Sequence, residues 1–173
     1  MDIEKLKYPI GKYEAPEIIT PVHINQWIKE IISYPQRLKQ VLANISSEQL
    51  AQPYRPDGWT GLQVIHHLAD SHMNAYIRFH LTLTEDTPTI KPYMEERWAQ
   101  LSYIKDTPIV LSLELLKNLH ARWAILLNSL TEEDFKREYH HPQYDYTIAL
   151  DKVLGLYAWH GNHHLHHIKL LMK

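Results

Sequence analysis

Trp159-His160-Gly161-Asn162-His163-His164-Leu165-His166-His167-Ile168 closes an apolar-periodic run that begins near Thr147. The stretch holds five of the chain's 13 histidines, interleaved with Leu165 and Ile168 in helical phase, unlike the contiguous run of a purification tag. At 100° per residue, Val153, His160, His164, His167 and Leu171 share one stripe flanked by Leu150 and Tyr157, while His163 and His166 point outward. His160 and His164 thus stack one turn apart on the face that carries core residues. A buried imidazole without a partner costs roughly 1–3 kcal/mol, so a pair on an apolar stripe demands hydrogen bonds or a shared metal ion.

The same 3.6-residue period recurs over residues 21–44, 60–83 and 108–130, which with 147–172 makes four long helices. Thr20-Pro21 reads as a cap followed by proline at the first helical position, Thr60 reads as a second cap, and Thr107-Pro108 marks the start of the third helix. Pro35 falls inside the first helix and predicts a kink or break. Only five glycines punctuate the chain, which favours helices over a sheet. Residues 85–106 form a long link with a short helix over 95–101, suited to a bundle with one crossover. Residues 135–146 read as a short irregular strand or loop, and the first 19 residues as an extended arm on the bundle. The expected architecture is all-α, a four-helix bundle in a single domain over 1–173, long enough to bury a core.

Composition narrows the function. Eighteen basic and 20 acidic residues give a formal charge of −2, with no electrostatic footprint for nucleic acid or an anionic membrane. The absence of cysteine excludes disulfides, a thiolate nucleophile and cysteine-ligated metals, and fits a cytoplasmic setting. Met1-Asp2-Ile3-Glu4-Lys5 lacks the apolar core of a signal peptide, and no apolar run of about 18 residues predicts a membrane span.

A metal site on the last helix needs a third ligand. Val64-Ile65-His66-His67-Leu68-Ala69-Asp70-Ser71-His72 offers three histidines and a carboxylate. His72 shares an apolar stripe with Ile65, Ala69, Tyr76 and Leu83, His66 lies at its edge, and a straight wheel turns His67 away. Periodicity alone therefore leaves His66 and His72 open and reads His72 as readily as a core histidine. The five tryptophans read as packing residues, with Trp159 placed to line a pocket. Arg78 reads as a surface or salt-bridged group, His140-His141-Pro142 as a water-facing loop, and Glu132-Glu133-Asp134 as an acidic helix start.

Trp59-Thr60-Gly61-Leu62-Gln63-Val64-Ile65-His66-His67-Leu68-Ala69-Asp70 resembles the second-helix motif of the DinB/YfiT-like superfamily. Tyr157-Ala158-Trp159-His160 through His164 to Ile168 resembles its His-x-x-x-His motif. The arm Tyr8-Pro9-Ile10-Gly11-Lys12-Tyr13 and the stretch Ala69 to Phe79 resemble the YfiT subgroup. The resemblance runs over nearly the whole chain. It implies a four-helix bundle with one divalent ion, Zn²⁺ or Ni²⁺, held by His67, His160 and His164. It further implies a cytoplasmic homodimer and a metal-dependent hydrolase acting on a small molecule. Related members resemble transferases that use a low-molecular-weight thiol such as bacillithiol.

Three neutral imidazoles leave a divalent ion with its full charge and an open position, where a water can be acidified to about pKa 7. A substrate thiol can ionise at the same position, so hydrolysis and S-transfer share one ligand set. The last helix reads His-Gly-Asn-His-His, without the glutamate of His-Glu-x-x-His hydrolases. A general base must come from Asp70, His72 or His163; Asp70 also suits orienting a ligand's second ring nitrogen. Three functions follow: a metal-dependent hydrolase, a metal-dependent thiol S-transferase, and a non-catalytic metal-binding helical protein.

Overall fold

In the computed structural model, which describes residues 2–172, the elements in chain order are α1 (Ile3–Lys7), α2 (Pro21–Leu42), α3 (Ser47–Leu50), α4 (Gly61–Thr84), α5 (Glu95–Ala99), α6 (Ile109–Ser129), α7 (Glu132–Lys136), β1 (Glu138–His141), β2 (Tyr146–Ala149) and α8 (Leu150–Lys169). Reciprocal capping boxes fix several helix starts: Thr20 with His23, Ser46 with Gln49, Thr60 with Gln63, and Thr131 with Asp134. α2 runs on through Pro35 without a break. Proline lacks an N–H, so the carbonyl of Ile31, four residues back, loses its helical donor. His120 Nδ1 supplies one at 2.7 Å. A partner from the neighbouring helix thus satisfies the group that the expected break would have exposed.

The four long helices form a ring in which α2 adjoins α8 and α6, and α4 adjoins α6 and α8. Cross-helix contacts fix their directions. Trp27 meets Gly155 and Tyr34 meets Gly161, so α2 and α8 run parallel. His66 meets Ser112 and His72 meets His120, so α4 and α6 also run parallel. Gly61 meets Leu171 while His72 meets His160, so α4 and α8 are antiparallel. The link between the parallel neighbours α4 and α6 must return along the bundle, which is the single long crossover. The other two connections, α2 to α4 and α6 to α8, span the diagonals.

Two apolar clusters fill the interior. One gathers Ile28, Ile31, Phe79, Trp123, Leu127, Leu150 and Leu154, the other Leu38, Val64, Ile65, Leu68, Leu116, Leu165 and Ile168. Between these sets each long helix turns an aromatic, polar or small residue inward: Tyr34 at the edge of the second cluster on α2, His72 on α4, His120 on α6, and His160, Gly161 and His164 on α8. The bundle is therefore cut by a layer of imidazoles. Gly161 permits this, because a Cβ there would meet the buried Tyr34 ring at 3.0 Å.

Two local expectations change. The arm is not extended throughout, since Asp2 caps the short helix α1. Thr147 belongs to an antiparallel hairpin, and α8 starts only at Leu150, whose N–H donates to the Arg137 carbonyl. Strand pairing, invisible to helical periodicity, takes the first residues of that run.

Candidate metal centre

His67 projects from the second turn of α4, and His160 and His164 from the C-terminal half of α8. Each offers a ring nitrogen, and the three lie within 4.8 Å of one another. His67 Nε2 and His160 Nε2 stand 3.3 Å apart. Two imidazole nitrogens bound to one tetrahedral Zn²⁺ lie about 3.3–3.4 Å apart, so this spacing fits an ion between them. Trp59 walls the group, its ring 4.7 Å from His67 and nearly parallel to His164 at 6.4 Å. The straight wheel turned His67 away because it assumes one buried face. α4 buries two, toward α6 and toward α8, and residues 64–69 are buried without interruption. His66 occupies the α6 side, where its Nδ1 lies 2.8 Å from Ser112 Oγ.

The hydrogen bonds fix which nitrogen of each α8 histidine carries its proton. A backbone carbonyl only accepts, so His120 Nδ1–H donates to Ile31. The neutral His120 ring must then accept at Nε2, and His72 Nδ1–H donates to it at 2.8 Å. His72 in turn accepts at Nε2 from His160 Nδ1–H at 3.3 Å, which leaves His160 Nε2 a bare lone pair toward His67. A second chain does the same for His164. His167 Nε2–H donates to the Lys7 carbonyl at 3.0 Å, so His167 Nδ1 accepts from His164 Nδ1–H at 3.2 Å. His164 Nε2 is therefore also a lone pair. Each chain ends on an obligate acceptor, one released by Pro35 and one supplied by the arm.

These assignments require neutral rings, and burial enforces that. Burial lowers the His67 and His120 pKa to about 4. His72, His160 and His164 are held well below the usual imidazole range, first by burial and then by neighbouring imidazoles, His67 among them in each case. Deprotonated nitrogens at neutral pH are the form a metal binds.

The three histidines line a cavity of about 860 Å³ that also touches Trp59, Ser71, Arg78, Tyr93, Tyr139 and Tyr157. Among the suggested bases, His163 lines it, whereas Asp70 does not and His72 has both nitrogens engaged in the relay. His163 does not face outward as its wheel position implied. Its ring is buried, stacked on Trp159 at 4.4 Å and approached by Tyr8 of the arm at 6.0 Å. Trp159 packs on His163 and Tyr13 outside the cavity lining, and Trp59 lines it instead. His141 is buried on β1 against Tyr144 and Tyr146 rather than in water. Sequence reasoning placed Tyr157 beside the histidine stripe but missed Tyr93 and Tyr139 of the cavity wall, which come from the crossover and the hairpin and carry no local motif.

Residues 33–168 match the profile of the DinB superfamily. A relative from Oceanobacillus iheyensis, named "Putative metal-dependent hydrolase", is 50% identical over 167 residues, 96% of each chain. Bacillus subtilis YfiT, given the same name, is 48% identical over 168 residues, covering 97% of this chain and 94% of that one. The solved structure of YfiT, described as having "an unusual four-helix bundle topology", superposes with a TM-score of 0.94 over 96% of this chain and 95% of that chain. A mycothiol-dependent maleylpyruvate isomerase shares the fold at 17% identity and a TM-score of 0.62, over 84% of this chain and 63% of that one.

Proposed function

This chain belongs to the DinB superfamily, and on that premise we propose that it is a metal-dependent hydrolase of small molecules in which His67, His160 and His164 hold one divalent ion. The observation that carries the reading is the convergence of three neutral ring nitrogens on the 860 Å³ cavity. Zn²⁺ or Ni²⁺ in that cradle supplies Lewis acidity, which acidifies a water and polarises a substrate carbonyl or phosphoryl oxygen. The protein's own part is to hold His160 and His164 in one tautomer through His72 and His167, and to shield the site with Trp59. His67→Ala, His160→Ala and His164→Ala proteins should each lose at least half of the wild-type metal content by elemental analysis. Turnover of simple esters or amides by the loaded wild type should vanish on chelation. Wild-type metal content in all three variants would overturn the ligand set.

A second reading, S-transfer from a low-molecular-weight thiol, is favoured by a specific observation. The three-histidine group includes no carboxylate, and His163, with its pKa lowered to about 3 by burial first, is a weak base. A thiol that ionises at the metal requires less of a protein base than a water does. Bacillithiol with monochlorobimane separates the two, since conjugation without ester or amide turnover selects S-transfer. Tight metal binding with neither activity selects a non-catalytic metal-binding protein. We also propose a cytoplasmic homodimer. The exposed Val110, Leu111, Leu115 and Ile125 of α6 are apolar surface that such a dimer would cover, and sedimentation equilibrium reads its mass.

A further inference from the structure

Arg78 lies about three turns, or ~16 Å of helix, beyond His67 on α4. Helical side chains lean toward the N-terminus, so its guanidinium points back toward the histidines. It lines the same cavity as they do. Its Nε is buried and has no hydrogen-bond partner, and no carboxylate pairs with it within 4 Å among the described residues. Glu95 and Glu96 line the cavity from the crossover side, and Asp57, Lys7 and Arg55 from the opposite end. Arg78 is half-buried, and an Nε shut away from water with neither a hydrogen-bond partner nor a carboxylate within 4 Å is a cost retained where a ligand supplies the missing charge.

The hydroxyls around Arg78 are donors, and the one carboxylate felt by Tyr93 and Tyr157, Glu95, lies beyond 4 Å of the arginine. The hydroxyls of Tyr139, Tyr157 and Tyr93 are pushed up in pKa by burial, and the Arg78 charge pulls each back toward its ordinary value. They remain protonated at neutral pH and can donate beside the arginine. Ser71 sits by the Tyr93 and Tyr157 hydroxyls, one turn past His67, between the two ends of the cavity. A planar fork flanked by phenol donors is the arrangement that grips an oxyanion through paired hydrogen bonds.

We propose that Arg78 and Tyr139 form an oxyanion subsite, which binds a carboxylate or phosphate at one end of an elongated substrate whose other end reaches His67, His160 and His164. The subsite deepens the metal-dependent reading and rests on it for the reacting end alone. The substrate class is therefore a small molecule with an anionic group roughly 10 Å from its reacting group, the span left when an extended arginine reaches back along ~16 Å of helix.

The test is binding by calorimetry to the full chain, with and without Zn²⁺. The probes are alkyl hydroxamates of graded length ending in a carboxylate, a phosphonate or a neutral amide. In the wild type the acid-ended probes should bind at least tenfold tighter than the amide of equal length, with an optimum length. Arg78→Met should remove that difference, and Arg78→Lys should restore part of it. A larger gain for phosphonate or for carboxylate names the natural anion. Equal affinities for acid and amide ends in the wild type overturn the proposal whatever the variants do. Failure of the metal reading looks different: Zn²⁺ then adds nothing to any hydroxamate, while the acid-over-amide preference persists.

Discussion

Pro35 is no member of the three-histidine group, yet it starts the chain of hydrogen bonds that aims one of its rings. Its missing N–H frees the Ile31 carbonyl, His120 takes it, and the donor sense passes through His72 to His160. His120→Leu leaves the His72 Nδ1–H buried without an acceptor and lets that ring reverse. Outer-shell partners of this kind shift metal affinity about 10–100-fold, so Zn²⁺ binding by chelator competition should weaken by that factor. His120→Gln should rescue it, because the amide can accept from His72 while donating to Ile31. Imidazole ¹⁵N spectra of the metal-free protein should show His160 protonated at Nδ1 in wild type and His120→Gln, and mixed tautomers in His120→Leu. Pro35→Ala separates positioning from folding: it restores a helical N–H that competes for Ile31, so metal affinity should fall while helix stability does not. Unchanged affinity and tautomers in His120→Leu would remove the relay from the account.

At the scale of elements, three contacts hold α8 in the rotation that presents its histidines. Arg37 donates to Asn162 Oδ1, and Glu30 accepts from Asn162 Nδ2 at 3.0 Å, so α2 grips the residue between His160 and His164. Gly161 lets the helix close on Tyr34. The arm reaches over from the other side, where the Lys7 carbonyl ends the His167 chain. Deleting residues 1–10 should therefore weaken Zn²⁺ binding about tenfold through His164 while leaving the His160 tautomer intact. The same competition assay and ¹⁵N spectra check this, and an undiminished affinity would show that His167 needs no fixed acceptor. These elements also mark what could be read from the chain. Thr107-Pro108 marks the start of α6 without capping it: Pro108 is the N-cap with no side-chain bond, and the Thr107 hydroxyl donates to the Tyr103 carbonyl. Thr20 and Thr60 do cap the observed starts of α2 and α4, because capping is local chemistry. The phase of His160 and His164 was legible for the same reason. The burial of His163 and the α8 start at Leu150 were not, since a distant arm and a strand pairing decide them.

Across the whole molecule, two parallel helix pairs set against each other make every long helix bury two sides. That is why a single-stripe wheel ranked His67 last, and why the family resemblance gave the register that periodicity could not. It also places an unusual number of imidazoles in the interior, which ties folding to pH. In the metal-free protein, burial holds His67 and His120 near pKa 4 and His72, His160 and His164 well below 6.5. Between pH 6.5 and 4 the unfolded chain binds these protons and the native chain does not. Stability is therefore full above pH 6.5 and falls as the pH drops through that window. His120 alone accounts for about 3 kcal/mol between its unfolded and folded pKa values. Urea midpoints of the chelated protein should decline steadily from pH 7 to pH 5, and His120→Leu should decline less steeply. Added Zn²⁺ should raise the midpoint at pH 7 and still raise it at pH 5, because burial keeps the three native rings unprotonated there and open to the ion. A midpoint that stays level across the window would mean that the histidine layer admits charge or water, and the fixed tautomers argued from it would fail with it.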